Sequence, residues 1–189
     1  MSIKRFSKSI LYVVLLLVSL SSCSKQEESG FEDNSLVNVK LSATPSVYQS
    51  FNLDIIEVQL QVLEDQTDAN AWISLNTINT GVQDVSQLRA NKVINLVDFE
   101  QVPSDFIYSI KLVLGDNNTA LKNGVTYDLY VTTDYINGST NIIEKEFKEN
   151  KLYDLTIELN IDESVNLSSE NSAELQPKTS TLLRLYNLF

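Results

Sequence analysis

The amino-acid sequence predicts an all-β fold, an antiparallel β-sandwich of eight or nine strands with at most one short helix. Three observations predict it: apolar residues recur at every second position, polar turn residues separate those runs, and only one short stretch has helical spacing. The clearest run places Tyr153, Leu155, Ile157, Leu159 and Ile161 on one side of a strand and Asp154, Thr156, Glu158 and Asn160 on the other. Side chains of a strand alternate between faces, so this run buries one face and wets the other.

Taken in chain order, the first strand is marked by Val37, Val39 and Leu41 and closes at a turn, Ala43-Thr44-Pro45-Ser46. In residues 51–63 (FNLDIIEVQLQVL), Leu53 and Ile55 share one parity while Ile56, Val58, Leu60 and Val62 share the other. A β-bulge at Ile55-Ile56 would realign the inward face. Burial on both faces is less favoured, since Asn52, Asp54 and Glu57 would then lose water. Shorter strands are expected at residues 71–76 and 92–99. Between them, residues 82–90 place Val82, Val85 and Leu88 three apart and form the one helical candidate, about two turns long.

Regular alternation returns at Tyr108, Ile110, Leu112 and Leu114, and again at Tyr127, Leu129 and Val131. Turns at Gly115-Asp116-Asn117-Asn118, Lys122-Asn123-Gly124 and Ile136-Asn137-Gly138 separate these runs, the last two carrying the Asn-Gly hairpin signal. Residues 141–147, the run from Tyr153 to Ile161 and residues 181–188 complete the set. Unequal strands and uneven loops favour a sandwich over a barrel.

Composition narrows the function. The 189 residues include no His and one Cys, and 14 Lys and Arg against 25 Asp and Glu give a formal charge of −11. Without His the chain lacks the commonest general acid–base and the commonest metal ligand. One Cys permits no internal disulfide and no Cys-based zinc site. The acidic balance argues against nucleic acid, whose phosphates are bound by Lys and Arg. No cofactor is expected.

The first 22 residues differ from the rest. Lys4, Arg5 and Lys8 precede an uncharged run, ILYVVLLLVSL, of 11 residues, and Ser21 and Ser22 lead into Cys23. A bilayer-spanning helix needs roughly 20 residues, so the run fits a signal-peptide core. Leu20-Ser21-Ser22-Cys23 resembles the lipobox of bacterial lipoproteins, with cleavage between Ser22 and Cys23 and acylation of the Cys23 thiol. Each buried lipid CH₂ contributes about 0.8 kcal/mol, and several chains together make a stable anchor.

Three parts are therefore expected: a leader over 1–22, the acylated Cys23 with a polar acidic tether over 23–35, and the sandwich over 36–189. Cleavage would remove three basic and no acidic residues, taking the charge from −11 to −14. Lys25-Gln26-Glu27-Glu28 also resembles the acidic signal that sends lipoproteins of one Gram-negative phylum to the cell surface.

The assembled motifs resemble a lipoprotein family known as domain of unknown function 4382. The likeness is carried by Val37 to Pro45, Asp54-Ile55-Ile56-Glu57-Val58, Trp72 with Leu75, Asp84 to Leu88, and Val102-Pro103 leading into Ile110-Lys111-Leu112-Val113-Leu114-Gly115-Asp116-Asn117-Asn118. It continues in Asp162-Glu163-Ser164-Val165 and Leu175-Gln176-Pro177. Ser42-Ala43 and Gln176 depart from the family pattern, which usually has an Asp in the opening turn and Lys in the last motif. The resemblance implies a secreted β-sandwich and says nothing of an activity.

Carboxylate pairs are the only enzymatic chemistry the composition leaves, because glycoside hydrolysis runs on two Asp or Glu residues. Asp54/Glu57, Asp98/Glu100 and Asp162/Glu163 lie on outward parities or at strand ends, where solvated charge is the ordinary reading. Gly115-Asp116-Asn117-Asn118 lacks the spaced ligands of a calcium loop. Tyr130 and Tyr135 are the candidate binding residues, as exposed stacking platforms, against the alternative of cross-strand pairing. The expected function is a non-catalytic outer-membrane lipoprotein, facing the cell surface and binding a glycan or an envelope protein. A periplasmic orientation, a structural subunit of a fimbria-like assembly pairing through residues 182–189, and a carboxylate-dependent glycosidase are the alternatives.

Overall fold

A computed structural model describes residues 34–135, 138–167 and 172–188. They form thirteen strands: β1 (Asn34–Ala43), β2 (Ser50–Gln61), β3 (Trp72–Ser74), β4 (Gly81–Asp84), β5 (Ile94–Pro103), β6 (Phe106–Leu114), β7 (Asn118–Lys122), β8 (Val125–Val131), β9 (Ser139–Glu146), β10 (Lys151–Leu159), β11 (Val165–Leu167), β12 (Ser172–Leu175) and β13 (Thr179–Asn187). Short 3-10 turns occur at Thr133–Tyr135 and Asp162–Ser164, and no α-helix occurs among the described residues. The chain is all-β and sandwich-like, as its alternation predicts.

One sheet has the order β13-β10-β1-β5; the other has nine strands in the order β11-β12-β8-β7-β2-β6-β9, with β3 and β4 also pairing with β2. Val37, Val39, Leu41, Leu155 and Ile157 of the first sheet share one core with Phe51, Leu53, Leu60, Ile110, Leu112 and Leu129 of the second. Two pairings are parallel, β1 with β10 and β8 with β12, where an antiparallel sandwich is expected. Parallel neighbours need long crossovers, and both pairs have them, since other strands lie between their members in the chain.

β2 organises the larger sheet. β6 pairs with its second half (Ile55↔Leu114 to Gln61↔Ser109) and β7 with its beginning (Asn52↔Thr119), so the two run end to end along one side. β3 and β4 do the same along the other side. At both breaks a side-chain oxygen replaces a ladder carbonyl: the Asp54 amide donates to Asn118 Oδ1 at 2.9 Å, and the Val58 amide to Thr77 Oγ1 at 2.8 Å. The register also shifts between Ile55 and Glu57, the bulge that the parity switch predicts, and it leaves Ile56 49% exposed.

Four strands exceed the expected count. β7 has little apolar content, and Asn118 and Ala120 bury its inner face. β11 and β12 are three and four residues long, too short for periodicity. β4 occupies the start of the helical candidate: residues 81–84 extend along β2, and a turn bonding the Leu88 amide to the Val85 carbonyl follows. Val85 and Leu88 are buried while Val82 is exposed, so the three-residue spacing reports two core contacts and no helical face. Asn123 and Gly124 both have positive φ, 53° and 78°, as a type I′ turn requires, and close the β7–β8 hairpin.

Candidate functional site

A groove of about 730 Å³ opens on the larger sheet where β6 passes between the β2–β3 loop and β9. Gln61 and Ser109, directly paired across β2 and β6, line it, as do Phe106 and Tyr108. The two rings meet edge-on, centroids 4.8 Å apart and planes at 63°. Residues 64–67 bound one side, and Ile142 and Glu144 the other.

The sequence builds this shape through a second bulge. Ile107 pairs with Lys145 and Ser109 with Ile142, so one residue of β6 faces two of β9, and Glu144 takes φ +45°. Ile107 becomes fully buried while Phe106 stays 37% exposed and Tyr108 half-buried. Tyr108 is therefore a groove residue, where its parity with Ile110 and Leu112 places it in the core. The β6–β9 register shift is the physical reason.

The loop wall is held from within. Asp65 Oδ1 accepts from the amide and hydroxyl of Thr67 at 2.9 and 2.6 Å. The hydroxyl bond is the larger cause of a carboxyl held below its ordinary value. The Trp72 indole donates to the Gln66 carbonyl at 3.2 Å, and Gln61 Nε2 donates to the carbonyls of Leu63 and Glu64. The β2–β3 loop is thus preformed.

Gln61 and Ser109 are 6% and 7% exposed. Among the described residues, nothing in the protein donates to Gln61 Oε1, and the Ser109 hydroxyl makes no hydrogen bond. Both atoms reach the solvent inside the groove, so its floor has hydrogen-bonding capacity open to a ligand. Among the described residues, Glu64, Asp65 and Glu144 form no ion pair and no Lys or Arg lines the groove. A smaller depression on the four-stranded sheet, about 420 Å³, differs: its Lys40 and Asp154 pair at 2.5 Å and Arg184 also lines it.

The residues singled out from sequence lie elsewhere. Tyr130 stands on β8, 50% exposed and opposite Glu174. Tyr135 ends a 3-10 turn, and its hydroxyl accepts from Lys178 Nζ at 3.0 Å, so it is engaged within the fold. Neither lines the groove. Ser22 and Cys23 lie outside the described residues.

Asp54 departs from its expected solvated position. It is 7% exposed, and Oδ2 accepts from the Asn117 amide at 3.2 Å and from Asn117 Nδ2 at 2.8 Å. The loop between β6 and β7 folds over it, which burial parity along β2 cannot register. Glu100 accepts from the Asn76 amide at 2.7 Å and Asp162 from the Val47 amide at 3.2 Å, so both cap connecting segments. The predicted pairing strand near the C-terminus is β13, joined to β10 through nine residue pairs within its own sheet.

The fold and groove together define an all-β sandwich with an aromatic and acidic cleft on its larger sheet. The chain belongs to the family described as Domain of unknown function (DUF4382), whose model matches residues 34–177. No curated protein and no solved structure matches it.

Proposed function

We propose that the protein is a lipid-anchored, non-catalytic binding protein of the outer membrane, facing the cell surface, and that the groove over β6 receives its ligand. The observation that carries the binding role is the preformed groove, whose buried Gln61 and Ser109 leave hydrogen-bonding atoms unused beside exposed aromatic surface. Anchoring and orientation rest on Leu20-Ser21-Ser22-Cys23 and on the acidic residues that follow. Partner capture from envelope fractions tests the binding role. The wild-type chain should retain a glycan or an envelope protein that Phe106→Ala releases, and equal retention by the variant refutes the groove. Palmitate labelling should disappear in Cys23→Ser. Protease added to intact cells should digest the protein; survival until the envelope is opened would place it on the inner face.

A further inference from the structure

The groove's chemistry is one-sided. Glu64, Asp65 and Glu144 bring three carboxylates to its walls, Gln61 Oε1 is an acceptor on the floor, and no cationic side chain among the described residues lines it. Three like charges around one cleft repel, and a positive group entering it relieves that repulsion at every wall at once. A neutral sugar supplies hydroxyl donors and leaves the repulsion in place. Phe106 and Tyr108 meet edge-on, and a flat cation is attracted over a ring face by the ring quadrupole.

The same sheet face already seats one cation in this way. Lys111 Nζ lies 3.5 Å from the centroid of the Trp72 ring, and Trp72 pairs with the groove residue Gln61. Burial holds the Lys111 ammonium below its ordinary pKa, against the opposing pull of Glu57. Between the two cationic side chains, arginine fits the groove better. Its guanidinium is flat, weakly hydrated and carries five in-plane donors, while a lysine ammonium is compact and strongly hydrated.

We infer that the groove receives an arginine side chain from an extended segment of a partner protein, its guanidinium against Phe106 and Tyr108 and its N–H groups shared among Ser109 Oγ, Gln61 Oε1 and the wall carboxylates. This rests on the groove being the binding surface. It adds that the ligand is a protein and that its recognition depends on charge.

The test is an NMR titration of the purified full chain with a blocked Gly/Ser peptide carrying one arginine, and with analogues bearing lysine or uncharged citrulline there. Neutral oligosaccharides, cello- and xylohexaose, form a further arm. Amide shifts should centre on Ser109, Phe106 and Glu144, weaken as salt rises, and weaken about tenfold or more for citrulline, because charge-assisted hydrogen bonds are the stronger kind. Ser109→Ala and Glu144→Gln should weaken arginine binding several-fold, whereas Tyr130→Ala should not. Equal binding of the citrulline peptide, or shifts away from the groove, would overturn the inference. Oligosaccharide binding in the groove without arginine binding would overturn it too, yet leave the binding role standing. If no probe shifts the groove and partner capture ignores Phe106→Ala, both fall.

Discussion

Asp54 and Asn117 are joined twice, since one carboxylate oxygen of Asp54 accepts from both the main-chain and the side-chain amide of Asn117. Around that junction the Gly115 amide donates to the Asp54 carbonyl at 2.7 Å and Asn118 Nδ2 to the Gly115 carbonyl at 2.6 Å. A run of turn residues thus becomes a rigid joint between β6 and β7. Asp54→Ala should cost about 1.5–3 kcal/mol in urea unfolding, the usual worth of hydrogen bonds to a charged group.

Gly115 is tied to the same carboxylate by space. A Cβ there would sit 2.5 Å from Asp54 Oδ2 and 2.8 Å from its Cγ. Gly115→Ala should destabilise by about 1–3 kcal/mol through overpacking. In the Asp54→Ala background those atoms are gone, so the double variant should be more stable than the sum of the single losses implies. Strict additivity in denaturant melts would show that the clash is relieved elsewhere.

Tyr153 fixes the β9–β10 connection. Its ring stacks on Phe147 at 3.8 Å, and its hydroxyl accepts from the Lys148 amide at 2.8 Å and donates to the Glu146 carbonyl at 3.2 Å. Tyr153→Phe keeps the stack and removes both bonds. It should cost about 1–2 kcal/mol by chemical denaturation, with amide exchange rising first around Lys148.

Acid sensitivity has a local source at Asp84. Partial burial raises its carboxyl pKa, but hydrogen bonds from Ser86 and Phe51, helped by Lys92, outweigh that and hold it below the ordinary 3.8. A depressed carboxylate means that the unfolded chain binds the proton more readily. Its contribution to stability is therefore complete above pH 3.8 and fades as pH falls through the lower folded value. Asp84→Asn should flatten that part of the stability profile, measured by urea midpoints from pH 5 downward.

Tyr130 offers a control. It is 50% exposed, outside the groove and on a strand whose inner face holds the buried Leu129. Tyr130→Ala should leave stability within about 0.5 kcal/mol and partner capture unchanged.

Much of the architecture was legible in advance because a strand announces itself by parity. β1, β2, β6, β8 and β10 all coincide with runs of alternating residues, and the Ile55-Ile56 switch marks a real bulge. Parity fails where burial comes from another segment. Asp54 has the alternation of a solvated residue and is covered by residues 115–118. Val82 and Val85 have helical spacing and lie in a strand and the turn after it.

The candidate groove was almost invisible for the same reason. Gln61, residues 64–67, Phe106, Tyr108 and Ser109, and Ile142 with Glu144 come from separate stretches, each unremarkable alone. Ile142, an apolar residue 74% exposed, stands out only once β9 is paired with β6. Among the aromatic residues, parity with Tyr127 and Leu129 marks Tyr130 as outward and the Asn137-Gly138 turn marks Tyr135, whereas parity with Ile110 and Leu112 places Tyr108 in the core.

By itself the amino-acid sequence determined that this protein is all-β, that it is strongly acidic without histidine, and that its single cysteine stands in a lipobox-like segment. These are local properties, readable from neighbours along the chain. Tertiary structure decided which strands pair in parallel, that Asp54 is buried, and that three carboxylates and two rings share one cleft. Those outcomes depend on contacts between segments distant in sequence: crossovers bring β10 to β1 and β12 to β8, the 115–118 loop covers Asp54, and at the cleft a β6–β9 register shift turns side chains between the core and the solvent face.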